Sequence, residues 1–311
     1  MNTPRLPPRS RIPTLALTLL SPALVLALTL LIAALATADP DPDATLRQQY
    51  LQAAERGDPE AQNNLGLMYH EGQGVTRNLS EAEKWFLKAA NQGNLIAQQN
   101  LGLMYQQAAG SPQEQRRAEP WLRKAAQQGL AKSQHALAVL YKQGQGVPQD
   151  FQEAAYWYRK AADQGDAEAQ SNLGVMHELG QGVPRSMEEA MRWYLKAAEA
   201  GSPVAKNNLG LLYKKGQGVL QDYKQAERWF REAAEQGFAQ AQYHLGMLFR
   251  NGQGVGQESV QAHMWLNLAA AQGDENALKE RDQLANIMKP DEIARAQEMA
   301  RHWKPKTASE F

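Results

Sequence analysis

The chain has 311 residues, of which 43% are hydrophobic, and it carries 33 basic and 33 acidic side chains and no cysteine. Three arginines precede the first acidic residue, so the chain from Asp39 onward carries 30 minus 33, or −3. Because binding to phosphates needs a basic surface, this balance disfavours nucleic acid as a partner. The lack of cysteine excludes disulfide bonds, a thiol nucleophile and a lipid-bearing cysteine.

The first 38 residues differ in composition from the rest. Three arginines precede an apolar run over residues 15–36, which is followed by an Ala-x-Ala pattern ending at Ala38. These features are typical of a signal peptide. We predict a signal peptide over residues 1–38, cleaved near Ala38, and a periplasmic or secreted mature protein. The alternative is an inner-membrane anchor over residues 12–36, because the run approaches the roughly 20 residues that span a bilayer.

A 36-residue repeat organises most of the remaining chain. The sequence Gly-Gln-Gly-Val begins at Gly72, Gly144, Gly180, Gly216 and Gly252. A tryptophan recurs at the same step, at Trp85, Trp121, Trp157, Trp193, Trp229 and Trp265. A fixed period of this length predicts stacked units, each unable to bury its apolar face alone.

Each unit contains two amphipathic helical patterns. In the first unit, one apolar stripe includes Ala61 and Leu65, and a second includes Ala82 and Phe86. The second helix begins with a capping-box pattern, in Asn78, Asp150 and Ser186, each followed three residues later by Glu. The glycines between the helices suit a turn, since glycine adopts the left-handed conformation at little cost. A phosphate-binding loop would end in Lys and a hydroxyl residue, which are absent here.

These units resemble the Sel1-like repeat family, helix-turn-helix relatives of the tetratricopeptide repeat. The family pattern appears in the fourth unit as Ala169, Leu173-Gly174, Gly180-x-Gly182-Val183, Ala190, Trp193-Tyr194, Lys196-Ala197-Ala198 and Gly201. His177 replaces the tyrosine of the family pattern. The resemblance covers about residues 46–273 and implies an all-α solenoid, a right-handed superhelix of helix-turn-helix repeats, that binds other proteins.

On this basis the chain is divided into a signal segment and four further parts. We predict an N-terminal capping helix over residues 39–57, six repeats over 58–273, C-terminal capping helices over 274–303 and a flexible tail over 304–311. Caps are expected because the open end of a solenoid would expose apolar surface.

The second unit departs from the pattern. Its turn reads QQAAGSPQEQRRAEP and lacks Gly-x-Gly-Val, and Pro120 lies directly before Trp121. Because proline disrupts a helix interior, we predict that the second helix of this unit begins late, near Glu119 and Pro120.

Candidate catalytic groups are dispersed through the repeats. There is no paired-histidine metal motif and no Ser-x-x-Lys motif. We therefore predict no catalytic residue, no metal site and no cofactor. The six repeat tryptophans lie within apolar stripes and are expected in the core, where replacement by alanine costs about 3 to 5 kcal/mol. A stacking surface for sugars is the alternative.

One polar series shares a single repeat position, one residue before the core leucine. Asparagine occupies it at Asn64, Asn100, Asn172 and Asn208, and Ala136 and His244 interrupt the row. Carboxamides both donate and accept hydrogen bonds, so a row of them could bind the backbone of an extended peptide. The alternative is that each asparagine ties neighbouring helices together or caps a turn.

The sequence predicts a non-catalytic scaffold or adaptor of the bacterial cell envelope. It would bind partner proteins or peptides along the concave solenoid surface, and would meet a membrane only through an uncleaved N-terminal segment. One alternative is a hydrolase of β-lactams or cell-wall peptides on the same scaffold, although the disulfide framework of the cysteine-rich relatives described as β-lactamases is missing. A third is binding of peptidoglycan without hydrolysis, which requires exposed aromatic residues.

Overall fold

The computed structural model describes residues 42–108 and 112–306, which form 15 α-helices and no strand. The predicted signal segment and residues 307–311 lie outside the described residues. The helices are α1 (Pro42–Glu55), α2 (Pro59–Glu71), α3 (Leu79–Asn91), α4 (Leu95–Gln107), α5 (Pro112–Gln127), α6 (Ala131–Gln143), α7 (Phe151–Ala162), α8 (Ala167–Leu179), α9 (Met187–Glu199), α10 (Pro203–Lys215), α11 (Tyr223–Glu235), α12 (Ala239–Asn251), α13 (Ser259–Ala271), α14 (Glu275–Ala285) and α15 (Pro290–His302).

Six helix pairs, from α2 and α3 to α12 and α13, form the repeats. We call the first helix of each pair the A helix and the second the B helix. Each A helix packs against the B helix of its own pair and against the helix that precedes it in the chain. The predicted all-α solenoid of 36-residue repeats is therefore confirmed. In the parts of the chain that the structure describes, no helix is long and apolar enough to span a membrane.

The turn glycines have two separate roles. The first glycine ends the A helix in the left-handed conformation, as at Gly72, where φ is 82° and the N–H donates to the carbonyl of Met68. The second glycine lies against the preceding repeat. A Cβ on Gly146 would overlap the backbone at Gln115 in the preceding B helix. The turn pattern in the sequence predicts the first role, whereas the second arises from stacking of neighbouring repeats.

Only half of the capping box forms at the three B helices where it is predicted, which begin after Asn78, Asp150 and Ser186. Asn78 accepts hydrogen bonds from the amides of Ser80 and Glu81, each at 3.1 Å. Its own N–H does not need the Glu81 carboxylate, because it donates to the carbonyl of Tyr69 at 2.8 Å. This contact links the A helix to the B helix across the turn. The equivalent bond in the fourth repeat joins Ser186 to His177.

The repeat tryptophans are only in part the core residues that the sequence predicts. Three are buried, at Trp157, Trp193 and Trp265. Three are half-buried, at Trp85, Trp121 and Trp229. The core prediction holds fully for the first group. In the second group an exposed cation covers part of each indole, as where Lys88 Nζ lies 3.9 Å from the ring centroid of Trp85.

A buried glutamine joins successive helices and was missed by the sequence analysis. Its side-chain amide donates to the carbonyl eight residues earlier, at the end of the preceding helix, at distances of 3.0 to 3.2 Å. The residues are Gln62, Gln98, Gln134, Gln170 and Gln242. The signal was present, because the glutamine follows the first stripe residue of the A helix at the 36-residue step. Buried amides of this kind stabilise the stack because their hydrogen bonds are shielded from water.

The predicted late start of the B helix in the second repeat is wrong. Helix α5 begins at Pro112, has 16 residues and contains Pro120 in its interior. Pro120 cannot donate to the carbonyl of Arg116, but both residues are exposed, so water can satisfy that carbonyl. Ala118 and Leu122 are fully buried on the opposite side. Their burial holds the helix across the proline.

Both ends of the repeat array carry additional helices. Helix α1 packs on α2, and helices α14 and α15 both pack on α13. Beyond α15, the rings of Trp303 and Trp265 meet edge to face, with centroids 6.2 Å apart. The N–H of Lys306 donates to the carbonyl of Glu235 at 2.7 Å, and its ammonium lies 2.8 Å from the Glu235 carboxylate. The expected flexible tail therefore does not start at residue 304.

Candidate protein-interaction face

One aliphatic residue recurs on every A helix without becoming fully buried. It lies two residues after the core leucine and forms the row Leu67, Leu103, Val139, Val175, Leu211 and Met247. We call this row, together with the predicted asparagine position three residues earlier, the A-helix face. A row of partly exposed aliphatic side chains at repeat spacing is a surface that another chain can cover.

In the part of the chain that the structure describes, clefts open on the A-helix face between successive A helices. The cleft between α2 and α4 has a volume of about 160 Å³, and it is lined by Leu67 and Asn100 among others. The cleft between α4 and α6 has about 230 Å³ and includes His135. The cleft between α8 and α10 has about 200 Å³ and includes Asn172 and Val204. Each combines an aliphatic wall with a polar group.

The four predicted asparagines all lie on this face and are all half-buried. Asn100 donates to Oδ1 of Asn63 on the preceding A helix at 3.0 Å. Asn172 accepts from Nζ of Lys142, also on the preceding A helix, at 2.8 Å, and donates to a carbonyl in its own helix. Two of the asparagines thus tie neighbouring A helices together. Binding of a peptide by Asn64, Asn100, Asn172 and Asn208 stays a prediction.

His244 interrupts the asparagine row in the sixth repeat. Its ring lies against Phe230 and Tyr243, with centroids 5.0 and 5.2 Å away, and its buried Nδ1 has no hydrogen-bond partner. Burial lowers the pKa of His244 to about 4, and the charges of Lys214 and Lys215 act in the same direction. The imidazole is therefore neutral at physiological pH.

A histidine and two carboxylates also meet on the face. Nδ1 of His135 lies 3.6 Å from Asp166 and 3.7 Å from Glu168. Burial opposes the charge on Asp166, but the hydrogen bonds from His135 and from the amide of Ala169 lower the pKa of Asp166 below its ordinary value. Because Asp166 also caps α8 through that 2.7 Å bond to Ala169, this cluster is a helix cap. Among the described residues, no group of three or more His, Asp or Glu side chains could hold a metal ion.

A larger cleft, of about 450 Å³, lies off the A-helix face between the start of α3 and the end of α4. The carboxylate of Glu83 accepts from the hydroxyl of Tyr105 at 2.8 Å and pairs with Arg117 at 2.5 Å. Burial, followed by the bond to Glu83, raises the pKa of Tyr105. Glu83, Tyr105 and Arg117 at this cleft therefore bind one another.

A model of the Sel1 repeat family matches the chain six times in succession. The matched residues are 59–94, 95–130, 131–166, 167–202, 203–238 and 239–274. No match was found among curated proteins.

Solved structures of Sel1 repeat proteins are similar to this chain. The protective antigen c5321 of uropathogenic Escherichia coli, which displays an SLR fold, is 35% identical with a TM-score of 0.72. That match covers 82% of this chain and 56% of the antigen, so this chain spans little more than half of it. A Sel1 repeat protein from Oxalobacter formigenes is 37% identical with a TM-score of 0.70, over 84% of this chain and 75% of the other.

Proposed function

Because the chain belongs to the Sel1 repeat family, whose repeats form scaffolds suited to protein interaction, we propose that it is a non-catalytic adaptor of the bacterial cell envelope. It binds extended segments of partner proteins along the A-helix face. The observation that carries this proposal is the aliphatic row, which stays partly exposed on all six A helices.

The size of the clefts supports a peptide rather than a small substrate. Sites for small molecules usually have volumes of about 300 to 1,000 Å³. The clefts on the A-helix face have about 160 to 230 Å³ each, and they recur along the array. Each is suited to one side chain of a bound segment, so affinity is distributed over several repeats.

The half-buried amides support the same mode of binding. An asparagine that ties two helices with one atom retains further donor or acceptor capacity, since its carboxamide has two donors and two acceptor lone pairs. The remaining N–H donors and oxygen lone pairs bind the backbone of the partner segment. The proposed location follows from the sequence: cleavage near Ala38 releases the mature protein into the periplasm or the medium.

Site-specific crosslinking in the native cell tests the proposal. A photo-crosslinking residue replaces Leu103 or Val175 on the A-helix face, and Lys88 or Tyr156, exposed on B helices, provides the matched controls. We expect the first pair to capture the same partner, identified by mass spectrometry, and the controls to capture little of it. Capture only from the B helices would contradict the proposal.

The same samples test export and catalysis. Mass spectrometry of the mature amino terminus is expected to place it near Asp39, and an intact N-terminal segment would instead indicate the membrane anchor. Purified mature protein is expected to leave a chromogenic β-lactam and peptidoglycan fragments unchanged. Turnover of either would favour the hydrolase alternative.

A further inference from the structure

Two lysines at the end of α10 lack an anionic partner. Lys214 and Lys215 form no salt bridge with any carboxylate in the described part of the chain, whereas the nearby Lys206 pairs with Glu232. Lys214 is only partly exposed. Burial lowers the pKa of Lys214, and the charge of Lys215 lowers it further. Lys215 is exposed, whereas the ammonium of Lys214 is partly removed from water without a counter-charge, and an anion from outside would relieve the cost of that partial desolvation.

The third repeat shows what is missing here. Lys142 occupies the same repeat position as Lys214, and its ammonium donates to Oδ1 of Asn172 on the next A helix at 2.8 Å. In the sixth repeat the position of Asn172 is taken by His244. Its ring packs at a tilt against Phe230, and no hydrogen bond joins it to Lys214. Lys214 in the fifth repeat therefore lacks the acceptor that Asn172 supplies to Lys142 in the third repeat.

The surroundings suit a peptide carboxylate. Leu211 and Met247 continue the aliphatic row beside the two lysines. The nearby carboxylate of Asp274 already caps α14, where it accepts from the amide of Ala277 at 2.9 Å. The guanidinium of Arg250 is engaged by Glu280, so it is not available for bidentate binding of a phosphate.

We propose that Lys214 and Lys215, beside His244, bind a carboxylate of the partner segment that lies along the A-helix face. The proposal rests on the proposed function. A peptide fits better than a polyanion, because α8, one repeat away on the same face, carries Glu168 and Glu178. These acidic residues would repel the continuous negative charge of a nucleic acid or polyphosphate.

A titration with acetate tests the carboxylate site without any peptide. Side-chain NMR signals of Lys214 and His244 are followed in the full mature protein at constant ionic strength, with inorganic phosphate as a second probe. We expect saturable acetate shifts of both signals in the parent protein. In Lys214→Gln/Lys215→Gln, where only the His244 signal remains, we expect the affinity for acetate to be about tenfold weaker, as for loss of a charged hydrogen bond. The charge-matched control Lys124→Gln/Lys160→Gln, on B helices, is expected to respond like the parent protein. Absence of saturable shifts, or much tighter binding of phosphate than its extra charge explains, would overturn the proposal.

Selection from a displayed library of short random peptides separates this inference from the proposed function. We expect selected peptides to carry Asp, Glu or a free C-terminal carboxylate at one position, and to lose about tenfold in affinity for the Lys214→Gln/Lys215→Gln variant. Peptides that bind without an acidic group would leave the adaptor function standing and refute the carboxylate site. Acetate binding without any selected peptide would support the site and count against the adaptor function.

Discussion

The fourth and fifth repeats have the same helices and turn glycines but pair their buried polar groups differently. In the fourth repeat Gln170 donates to the carbonyl of Ala162 at 3.1 Å, and Lys196 is exposed over the ring of Trp193. In the fifth repeat the glutamine is replaced by Lys206 and the lysine by Glu232, and these two form a salt bridge of 3.2 Å. The repeat frame therefore tolerates a buried charge when both positions change together.

The largest expected effect concerns burial of the tryptophan in these two repeats. Trp193 is 1% exposed, whereas Trp229, at the same position in the next repeat, is half-buried. We expect Trp193→Ala to lower the free energy of unfolding by about 3 to 5 kcal/mol and Trp229→Ala by roughly half as much. Urea unfolding followed by circular dichroism measures both. Equal losses would show that the difference in burial has no energetic consequence.

The next prediction breaks the charged pair of the fifth repeat. The Lys206 side chain is 6% exposed and that of Glu232 is 25% exposed. Glu232→Lys leaves the buried ammonium beside a like charge, and we expect a loss of about 2 kcal/mol in the same unfolding measurement. The double variant Lys206→Gln/Glu232→Lys restores the pairing of the fourth repeat and is expected to recover most of that loss. If adding Lys206→Gln does not restore the stability lost in Glu232→Lys, the two positions do not compensate for each other.

A pH titration sharpens the comparison at the boundary of the fifth and sixth repeats. Since the pKa of His244 is lowered to about 4, the folded protein binds fewer protons than the unfolded chain between about pH 4 and pH 6.5. Stability therefore rises with pH across this window and falls by about 3 kcal/mol on acidification. In His244→Asn, which introduces the asparagine found in four of the other repeats, this part of the pH dependence is expected to disappear. If the dependence of stability on pH is unchanged in this variant, it arises from other titratable groups.

The smallest expected effect is a gain in the fourth repeat. Gln164 and Gln272 each donate to the buried glutamine of their repeat, at 2.7 and 2.8 Å. At the equivalent position the fourth repeat has Ala200, and the buried Oε1 of Gln170 has no hydrogen-bond partner. We expect Ala200→Gln to raise stability by about 1 kcal/mol. Glu199→Gln, one residue earlier and exposed, provides the control and should have little effect.

The helical repeat, its register and its turns were predictable because periodicity reports local structure. The spacing of Ala61 and Leu65 places both on one helix face, and Gly72 marks the end of that helix. The interior proline of α5 was mispredicted, since the burial of Leu122 outweighs a local preference. The asparagine row was found in the sequence, but its bonds to neighbouring A helices depend on contacts about 36 residues apart, such as Asn100 with Asn63.

The sequence by itself determined the family, the helix pairs and the glycine that ends five of the six A helices, because these depend on neighbours within one or two turns of the chain. Only the tertiary structure decided which tryptophans are covered, why Gly146 has no side chain and which lysine lacks an acceptor. These properties arise where one repeat lies on the next, and adjacent repeats differ in the residues that they bring to that contact.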